Sequence, residues 1–158
     1  MERNAQRLAE ATAQVLSAQD RASDALGIAL LEVRPGYARM QMSVREDMVN
    51  LHGTAHGGLV FTLADSAFAY ACNSHNKAAV ASSCNIDFLR PAHQGDTLTA
   101  TAVEQVLAGR SGVYDVRVEN NKGEIVALFR GKSAQIRGAV AEGMPGDSGL
   151  PRQAMIVK

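Results

Sequence analysis

The chain has 158 residues, 46% of them hydrophobic and 20% charged, which is typical of one soluble globular domain with a sizeable core. Its 16 basic and 16 acidic residues cancel, so the charge gives no support to nucleic acid or an anionic membrane as a main partner. The polar N-terminus and the short apolar run at 59–72, interrupted by Asp65, predict neither a targeting segment nor a membrane span, and we expect a cytoplasmic protein.

The N-terminal part of the chain is predicted to form a helix and then a hairpin. Helical spacing over residues 3–22 predicts an amphipathic helix packed on a sheet, with the apolar stripe Leu8, Ala11, Val15 and Leu16. Two strands are predicted at 26–33 and 37–44, around the turn Arg34-Pro35-Gly36. The second strand alternates apolar and polar residues, as a half-exposed antiparallel strand does.

The chain is organised around residues 50–73, where a turn with two histidines and three glycines leads into a long apolar segment. Fourfold spacing predicts a largely buried helix with the apolar row Leu59, Leu63, Ala67 and Ala71. Asp65 is the one charged residue of this helix. If it is buried, its pKa is raised and it suits a general base or nucleophile. If it lies on a polar strip with Thr62, Ser66 and Tyr70, it is simply solvated.

The start of this helix favours the chemical role. Gly57 and Gly58 let a ligand approach the first amide N–H groups, which have no partner inside the helix and form an anion or oxyanion site. Gly57 and Asp65 are eight positions apart, or about 12 Å along one helix, so they cannot reach one carbon atom within one chain. The spacing therefore predicts a homo-oligomer, at least a dimer, with sites shared between subunits.

Four more strands are predicted after the helix, at 79–89, 97–107, 113–119 and 124–136. A hairpin, one long helix and a meander predict an α+β fold in which an antiparallel sheet wraps the helix. Residues 138–158 are rich in Gly and Pro and are predicted to be a flexible tail, which leaves one domain at 1–137. Cys72 and Cys84 lack metal-ligand spacing and are expected to be reduced, buried thiols, with a disulfide as the alternative.

A motif of separated residues carries a resemblance. The pattern N-x-x-x-x-x-HGG-x-x-x-x-x-x-D resembles that of the hotdog-fold acyl-CoA thioesterases and is formed here by Asn50, His56, Gly57, Gly58 and Asp65. The segments ADSAFAYACN, AAVASSCNIDFLRPAHQGDTLTATA and GVYDVRVENNKGEIVALFRGKS are similar to the PaaI-type thioesterases of phenylacetate degradation. The resemblance implies a hotdog fold, hydrolysis of an aryl-acetyl or hydroxylated aryl-acetyl CoA, no metal or redox cofactor, and a tetramer built from two dimers.

Site roles follow from the resemblance and the chemistry together. The Gly57 amide would polarise the thioester carbonyl, while Asp65 activates water or attacks directly, and Asn50 and His56 order the substrate or the water. Ser83, rather than the adjacent and opposite-facing Ser82, is assigned to hydrogen-bond water beside Asp65, with a packing role as the alternative. His52 and His56 lie four apart but have no third ligand nearby, so no metal site is expected.

Binding of coenzyme A would need cations for its three phosphates. The candidates at strand ends and turns are Arg90 beside Pro91, Arg110, Arg130 and Lys132, taken as a group because each charge alone is more often a solvated surface residue. The acyl group is expected near Gly58, Asn50, Phe68 and Tyr70. Two alternatives remain. One is a hotdog acyl-thioester dehydratase, which would use a histidine and an acid as proton shuttles. The other is a non-catalytic acyl-CoA-binding module, which should carry a DNA-binding segment or lack the acid.

Overall fold

A computed structural model describes residues 1–144, which form three α-helices, one 3-10 turn and six strands. The helices are α1 (Glu2–Gln19), α2 (Arg21–Leu26) and α3 (Gly57–Asn73), and the 3-10 turn is Glu46–Met48. The strands are β1 (Ala29–Arg34), β2 (Tyr37–Ser43), β3 (Ala79–Phe88), β4 (Thr97–Ala108), β5 (Ser111–Glu119) and β6 (Ile125–Gln135). The elements from the hairpin onward follow the predicted order, with ends that differ by three residues or fewer.

The six strands form one antiparallel sheet in the order β1-β2-β4-β5-β6-β3, with α3 packed on one face. We call the face that contacts α3 the inner face and the opposite face the outer face. Side chains alternate between the two faces, so that every second residue is buried in the first half of β4 and along most of β5 and β6. The predicted α+β architecture, one long helix against an antiparallel sheet, is confirmed.

An aromatic cluster fixes the middle of α3 on the sheet. The Phe68 ring packs edge-to-face on Tyr114, with ring centroids 5.5 Å apart, and lies 5.8 Å from Phe129, which also contacts Phe61 at 5.3 Å. Gly131 makes room for this cluster, because a Cβ there would lie 2.8 Å from the Phe68 ring. Phe68 is 1% exposed and is a core residue. The prediction that it contacts the acyl group is therefore wrong.

The N-terminal segment contains two helices, not the single one predicted for residues 3–22. The chain breaks at Asp20, whose carboxylate accepts a hydrogen bond from the Ser23 N–H at 3.1 Å and so caps α2. Leu26 ends this short helix instead of beginning a strand, and Gly27 follows it in the left-handed region with φ of 68°. The buried face of α1 is also rotated from the predicted stripe and consists of Ala9, Thr12 and Ala13.

The C-terminal end of α3 is fastened by buried hydrogen bonds. The Asn73 side chain accepts from the Ala79 N–H at 2.9 Å and donates to the Ala69 and Ala79 carbonyls. The Ser74 hydroxyl accepts from the Gly36 N–H at 2.8 Å, which ties the helix to the β1–β2 turn. These bonds join the helix end to both edges of the sheet.

Two further contacts complete this end of the helix. The Glu104 carboxylate accepts a hydrogen bond from the Tyr114 hydroxyl at 2.6 Å and lies 2.7 Å from His75 Nε2. Burial and this hydrogen bond raise the pKa of Tyr114. The carboxylate thereby links β4 and β5 to the residues that follow α3.

The chain beyond β6 differs from the flexible tail predicted from residue 138. Residues 139–141 are buried, and the side-chain carbonyl oxygen of Asn76 accepts hydrogen bonds from the Val140 and Ala141 N–H groups at 3.0 and 2.7 Å. The Asn76 amide also donates to the Ala141 carbonyl. Composition suggested a loose segment, but these long-range bonds hold its first residues in place. The rest of the predicted tail, 145–158, lies outside the described residues.

Candidate active site

His56 caps the N-terminus of α3. Its Nδ1 accepts a hydrogen bond from the Gly58 N–H at 3.0 Å, so a neutral ring carries its proton on Nε2. A glycine at position 58 allows this contact, because a Cβ there would lie 3.0 Å from Nδ1. The His-Gly-Gly sequence is therefore a capping structure in which the second glycine accommodates the histidine ring.

The cap leaves one amide of the first helical turn available. The N–H groups of Leu59 and Val60 both bond to the His56 carbonyl, and that of Gly58 bonds to the His56 ring. The Gly57 N–H has no acceptor among the described residues. A free N–H at a helix N-terminus, where the helix dipole is positive, is suited to bind an oxyanion.

An apolar cavity of about 270 Å³ opens beside Gly57. The ring of Phe88 forms one wall, 3.2 Å from where a Cβ of Gly57 would be. Two of the residues predicted to bind CoA also lie there, since the full lining is Ala55, Gly57, Val60, Phe88, Leu89, Arg90, Pro91, Ala92 and Val126. Arg90 is exposed and donates to the Ile125 carbonyl at 2.8 Å, which holds it at the rim.

Asp65 lies half-buried in the middle of α3. Its carboxylate forms no hydrogen bond or ion pair with any residue in the described part of the chain, and burial raises its pKa above the ordinary carboxyl value. Ser66, which was predicted to share a polar strip with Asp65, has other partners. Its hydroxyl donates to the Thr62 carbonyl and lies 3.3 Å from the Ser23 hydroxyl. The carboxylate is therefore partly desolvated and unpaired, not simply solvated.

Two thiols lie near the Asp65 carboxylate. Burial raises the pKa of Cys72 to about 12 and also raises that of Cys84, and the charge of Asp65 adds to both shifts. Both cysteines are free; Cys72 is buried and Cys84 is half-buried. Asp65 itself is absent from the lining of the Gly57 cavity, so one chain does not bring the two groups together.

Asn50 organises the loop that precedes α3. Its carbonyl oxygen accepts hydrogen bonds from the N–H groups of His52 and Thr54 and from the Thr54 hydroxyl, at 2.9 to 3.2 Å. Its amide nitrogen has no partner among residues 1–144 and can donate to a ligand. Asn50 thus holds the loop closed with one end of its side chain and leaves the other end free.

The strand register contradicts the role predicted for Ser83. Ser83 is paired with the exposed Lys132, so its side chain is on the outer face, away from Asp65. The inner positions of β3 are Cys84, Ile86 and Phe88, opposite Gly131, Phe129 and Ala127. Sequence reasoning missed Cys84, although the apolar alternation with Ile86 and Phe88 could have identified it. A bulge between Ala81 and Ser83 obscures the alternation earlier in the strand.

Tyr70 also lies elsewhere than predicted. It is buried beside Ser17 and Asp20 at the end of α1, and burial raises its pKa to about 12. Tyr70 therefore anchors α1 and α2 on α3 and does not line the Gly57 cavity.

The four candidate cations do not form one cluster within the chain. Arg130 makes a bidentate ion pair with Asp115, at 2.6 and 2.9 Å, on the outer face, where Lys132 also lies. Arg110 donates to the Gln135 carbonyl at 3.1 Å, at the end of β6 remote from the cavity. A larger hollow of about 810 Å³ on the outer face includes Arg130 but neither Gly57 nor Asp65. Only Arg90 adjoins the Gly57 cavity.

The described range contains neither a metal-ligand cluster nor a membrane-spanning helix. Residues 1–144 contain no group of three or more His, Cys, Asp or Glu side chains placed to hold a metal ion. No helix in this range is long and apolar enough to cross a membrane.

Comparison with known proteins places these features in a family. Residues 52–127 match the thioesterase superfamily model. The acyl-coenzyme A thioesterase PaaI of Escherichia coli is 51% identical over 121 residues, 77% of this chain and 86% of that protein. The structure of E. coli PaaI, from the phenylacetic acid degradation operon, superposes with a TM-score of 0.84 at 48% identity, covering 85% of this chain and 97% of that one.

Two other solved structures are similar. The phenylacetic acid degradation protein PaaI of Thermus thermophilus has a TM-score of 0.71 at 44% identity, over 73% of this chain and 99% of that one. A Streptococcus mutans protein bound to acetyl CoA has a TM-score of 0.67 at 26% identity, over 69% of this chain and 88% of that one. The chain belongs to the PaaI-type acyl-CoA thioesterases of the thioesterase superfamily and is a thioester hydrolase with the hotdog fold.

Proposed function

We propose that this protein hydrolyses aryl-acetyl or hydroxylated aryl-acetyl CoA thioesters to the free acid and CoA. The observation that carries the proposal is the free Gly57 N–H at the start of α3, which adjoins an apolar cavity. The two PaaI relatives named for phenylacetic acid degradation support the aryl-acetyl group, and the acetyl CoA bound by the S. mutans protein supports the CoA part.

The Gly57 amide polarises the thioester. Its N–H donates a hydrogen bond to the carbonyl oxygen, and that bond strengthens as negative charge develops on the oxygen in the transition state. The positive end of the α3 dipole adds to this stabilisation. His56 keeps the amide available because its ring caps Gly58 and not Gly57. The free amide of Asn50 orders the substrate or the attacking water.

Asp65 supplies the base or the nucleophile. As a base it removes a proton from water, the hydroxide attacks the carbonyl carbon, and the carbon–sulfur bond breaks as the CoA thiolate leaves and takes up the proton. As a nucleophile it attacks the same carbon to form a mixed anhydride, which water then hydrolyses. A raised carboxyl pKa, caused by burial, makes Asp65 a stronger base in either role.

The active unit is an oligomer with shared sites. Gly57 and Asp65 lie about 12 Å apart along one straight helix, so a single thioester carbon can contact Gly57 only together with the Asp65 of another subunit. A two-fold axis then produces two equivalent sites in a dimer. The tetramer of two dimers is a further part of this proposal.

Coenzyme A binds with its phosphates toward Arg90. This residue is exposed at the rim of the cavity, beside Pro91, where Gly58 is exposed as well. The remaining cations, Arg110, Arg130 and Lys132, serve a site only where another subunit brings them to it, because they lie away from the cavity of their own chain. A guanidinium group suits phosphate oxygens through paired hydrogen bonds.

A substrate panel tests the proposal directly. We expect kcat/KM for phenylacetyl CoA and hydroxyphenylacetyl CoA to exceed that for benzoyl and long-chain acyl CoA by at least about tenfold. A few differing contacts between the pocket and the acyl group can provide this discrimination. Preference for a long-chain ester would refute the aryl-acetyl assignment. Tight binding of all esters without any CoA release would identify an acyl-CoA-binding module instead.

Complementation of two inactive variants tests the shared site. Co-refolding Asp65→Asn with Gly57→Val should yield heterodimers in which one site holds both defects and the other holds neither. Activity should then return toward half the native value per heterodimer. If heterodimers form but stay as inactive as either parent, both residues act within one chain and the shared site is refuted.

A further inference from the structure

Three half-buried residues of α3 form a row along one side of the helix. Gly57, Phe61 and Asp65 are spaced by four residues, so they lie one above another at intervals of about 6 Å. The neighbouring residues that pack on the sheet, such as Val60 and Ala64, are buried. Phe61 therefore lies midway between the amide and the carboxylate to which the proposed function assigns the chemistry.

The adjacent row of the helix is polar, and its hydroxyl groups have partners. The Thr62 hydroxyl donates to the Gly58 carbonyl at 2.9 Å, and the Ser66 hydroxyl donates to the Thr62 carbonyl at 2.8 Å. The apolar side chain that α3 offers between Gly57 and Asp65 is therefore that of Phe61.

The Phe61 ring is held in place from the sheet side. It packs edge-to-face on Phe129, with ring centroids 5.3 Å apart and an angle of 69° between the rings. Phe129 is 2% exposed and packs in turn on the buried Phe68, so Phe61 ends a row of core rings and keeps part of its own surface accessible. A ring fixed in this way loses little conformational freedom when a ligand packs on it.

Accessible phenylalanine rings are few in this chain, and both lie next to the oxyanion site. The sequence has four phenylalanines, of which Phe68 and Phe129 are buried in the core. The other two are the half-buried Phe61 and the exposed Phe88. Phe88 lies against Gly57, and Phe61 follows one helical turn later.

We propose that Phe61 is the specificity-determining residue for the aryl group of the substrate, with its accessible ring packed against the aromatic ring of the bound ester. This inference rests on the proposed function, because it assumes that an aryl-acetyl CoA binds with its carbonyl oxygen at the Gly57 N–H. Edge-to-face or offset contact between two rings favours an aromatic acyl group over an aliphatic one of the same size.

The directions of the three substituents on the thioester carbon distinguish Phe61 from Phe88. The carbonyl oxygen lies at the Gly57 N–H, and the sulfur leads toward Arg90 through the cavity that Phe88 lines. The acyl group takes the remaining direction, along α3 and over Phe61. One methylene group joins the ring of an aryl-acetyl ester to its carbonyl, so the ring lies within about one helical turn of Gly57, where Phe61 is.

A pair of esters that differ in aromaticity tests the inference. Phenylacetyl CoA and cyclohexylacetyl CoA have acyl groups of similar size, so the ratio of their kcat/KM values isolates the ring contact. We expect the native enzyme to favour the phenyl ester by about two- to tenfold, the range that one aromatic contact provides. Phe61→Leu should lower this ratio to about one, and Phe61→Tyr should keep it, because a phenol retains the aromatic ring.

Phe88→Leu is the matched control, since it removes the other accessible ring beside Gly57. Its ratio should stay native, whatever its effect on the two separate values of kcat/KM. A ratio that survives Phe61→Leu would refute the inference and leave the proposed function standing. Loss of the ratio in Phe88→Leu alone would place the aryl group in the Phe88 cavity instead. A native enzyme with no preference for the phenyl ester, or with no CoA release from it, would refute both.

Fluorescence provides a second test that does not depend on turnover or on the folding of Phe61→Leu. The chain has no tryptophan, so Phe61→Trp introduces a single indole. Saturation with S-(2-phenylethyl) CoA, a thioether that cannot be hydrolysed, should shift or quench its emission, whereas CoA alone should change it much less. Unchanged emission, with binding of the thioether shown by calorimetry, would overturn the contact between Phe61 and the aryl group.

Discussion

The two parts of α3 differ in whether their polar groups have hydrogen-bond partners within the chain. At the C-terminal end, Asn73 and Ser74 hydrogen-bond to two other segments of the chain, at Ala79 and Gly36, and the buried Asn76 side chain is bonded through both its amide nitrogen and its carbonyl oxygen. At the N-terminal end the Gly57 N–H has no acceptor in the described chain, and in the middle of the helix the Asp65 carboxylate has no partner there. We call the C-terminal part, around Asn73 to Asn76, the fastened end of the helix, and the part from Gly57 to Asp65 the open part.

The difference separates the part of α3 that stabilises the fold from the part to which we assign the chemistry. A fully buried polar group that lacks a partner costs about 1–3 kcal/mol, so groups without a protein partner lie where solvent or a ligand can reach them, as the half-buried Gly57 and Asp65 do. The fastened end holds the helix rigidly on the sheet. That rigidity fixes the direction of the Gly57 N–H and the depth of Asp65, as preorganised catalysis requires.

Asp65→Asn should give the largest change in activity, because it removes the base while keeping the shape of the side chain. We expect kcat to fall by about 10²–10⁴ with little change in substrate affinity. Single-turnover rates and a binding titration with phenylacetyl CoA measure the two quantities. A variant that hydrolysed the substrate at near the native rate would refute Asp65 as the base or nucleophile.

The same substitution should stabilise the fold. Burial raises the pKa of Asp65 in the folded chain above its unfolded value, so the folded chain binds this proton more tightly. Ionisation as the pH rises therefore costs stability. The melting temperature of Asp65→Asn should exceed the native value at pH 7, and the gap should close as the pH falls toward the ordinary carboxyl pKa. A variant less stable than the native protein at pH 7 would contradict an unpaired carboxylate.

The pH dependence of the native enzyme should report the same carboxylate. Both roles of Asp65 need its charged form, so kcat should fall about tenfold per pH unit below its pKa. Because burial raises that pKa, the fall should begin above the ordinary value of about 3.9. A kcat profile, with melting curves at each pH as the control, provides the measurement. A flat profile down to about pH 4 would argue against burial of the group.

Gly57→Val should block the oxyanion site while the fold persists. The new side chain would press on Phe88 and obstruct the approach to the amide, so kcat/KM should fall by about 10²–10³, as for loss of one oxyanion donor. Melting should change much less, because the residue lies in the first turn of the helix and not in the core. Parallel loss of the melting transition and of activity would make Gly57 a structural residue.

Asn76→Ala, at the fastened end, should lower stability while leaving activity unchanged. It leaves the Val140 N–H and both the N–H and the carbonyl of Ala141 without these bonds, and we expect a loss of about 2–3 kcal/mol in the free energy of unfolding. Activity per folded molecule should stay native. Asn76→Gly is the control, since glycine suits the φ of 59° and isolates the lost hydrogen bonds from backbone strain.

His56→Ala should have the smallest effect and separates capping from proton transfer. Loss of the cap on Gly58 should lower kcat/KM roughly fivefold, the equivalent of about 1 kcal/mol. His56→Asn should restore most of it, because asparagine is a good N-cap and has no titrating ring. If asparagine does not rescue activity while circular dichroism shows an intact helix, the imidazole itself takes part in the reaction.

Some features of the site could be predicted from single residues. The glycine pair after His56 indicated an accessible helix N-terminus, and the isolated acid in an apolar run indicated a desolvated carboxylate at Asp65. Both signals are local, because they depend on residues within one or two turns of the same helix. The separation of the two groups along that helix also predicted an oligomer from the sequence alone, although that oligomer stays a prediction.

Other features depended on contacts between distant segments. The outward direction of Ser83 follows from its pairing with Lys132 after a bulge that no local pattern revealed. The position of Phe68 along the helix is compatible with a substrate contact and with a core residue. It is a core residue because Gly131, which lacks a side chain, leaves room for its ring. The buried start of the supposed tail depends on Asn76, which lies more than sixty residues earlier.

The sequence by itself determined the order and type of the main elements, the capped start of α3 and the identity of its lone acid. These properties arise from periodicity, glycine placement and side-chain chemistry within short stretches. The tertiary structure alone decided which side each residue of β3 faces, which amide of the first turn is free and which candidate cations adjoin the cavity. Those properties depend on strand register and on hydrogen bonds between segments far apart in the chain, which short-range patterns do not encode.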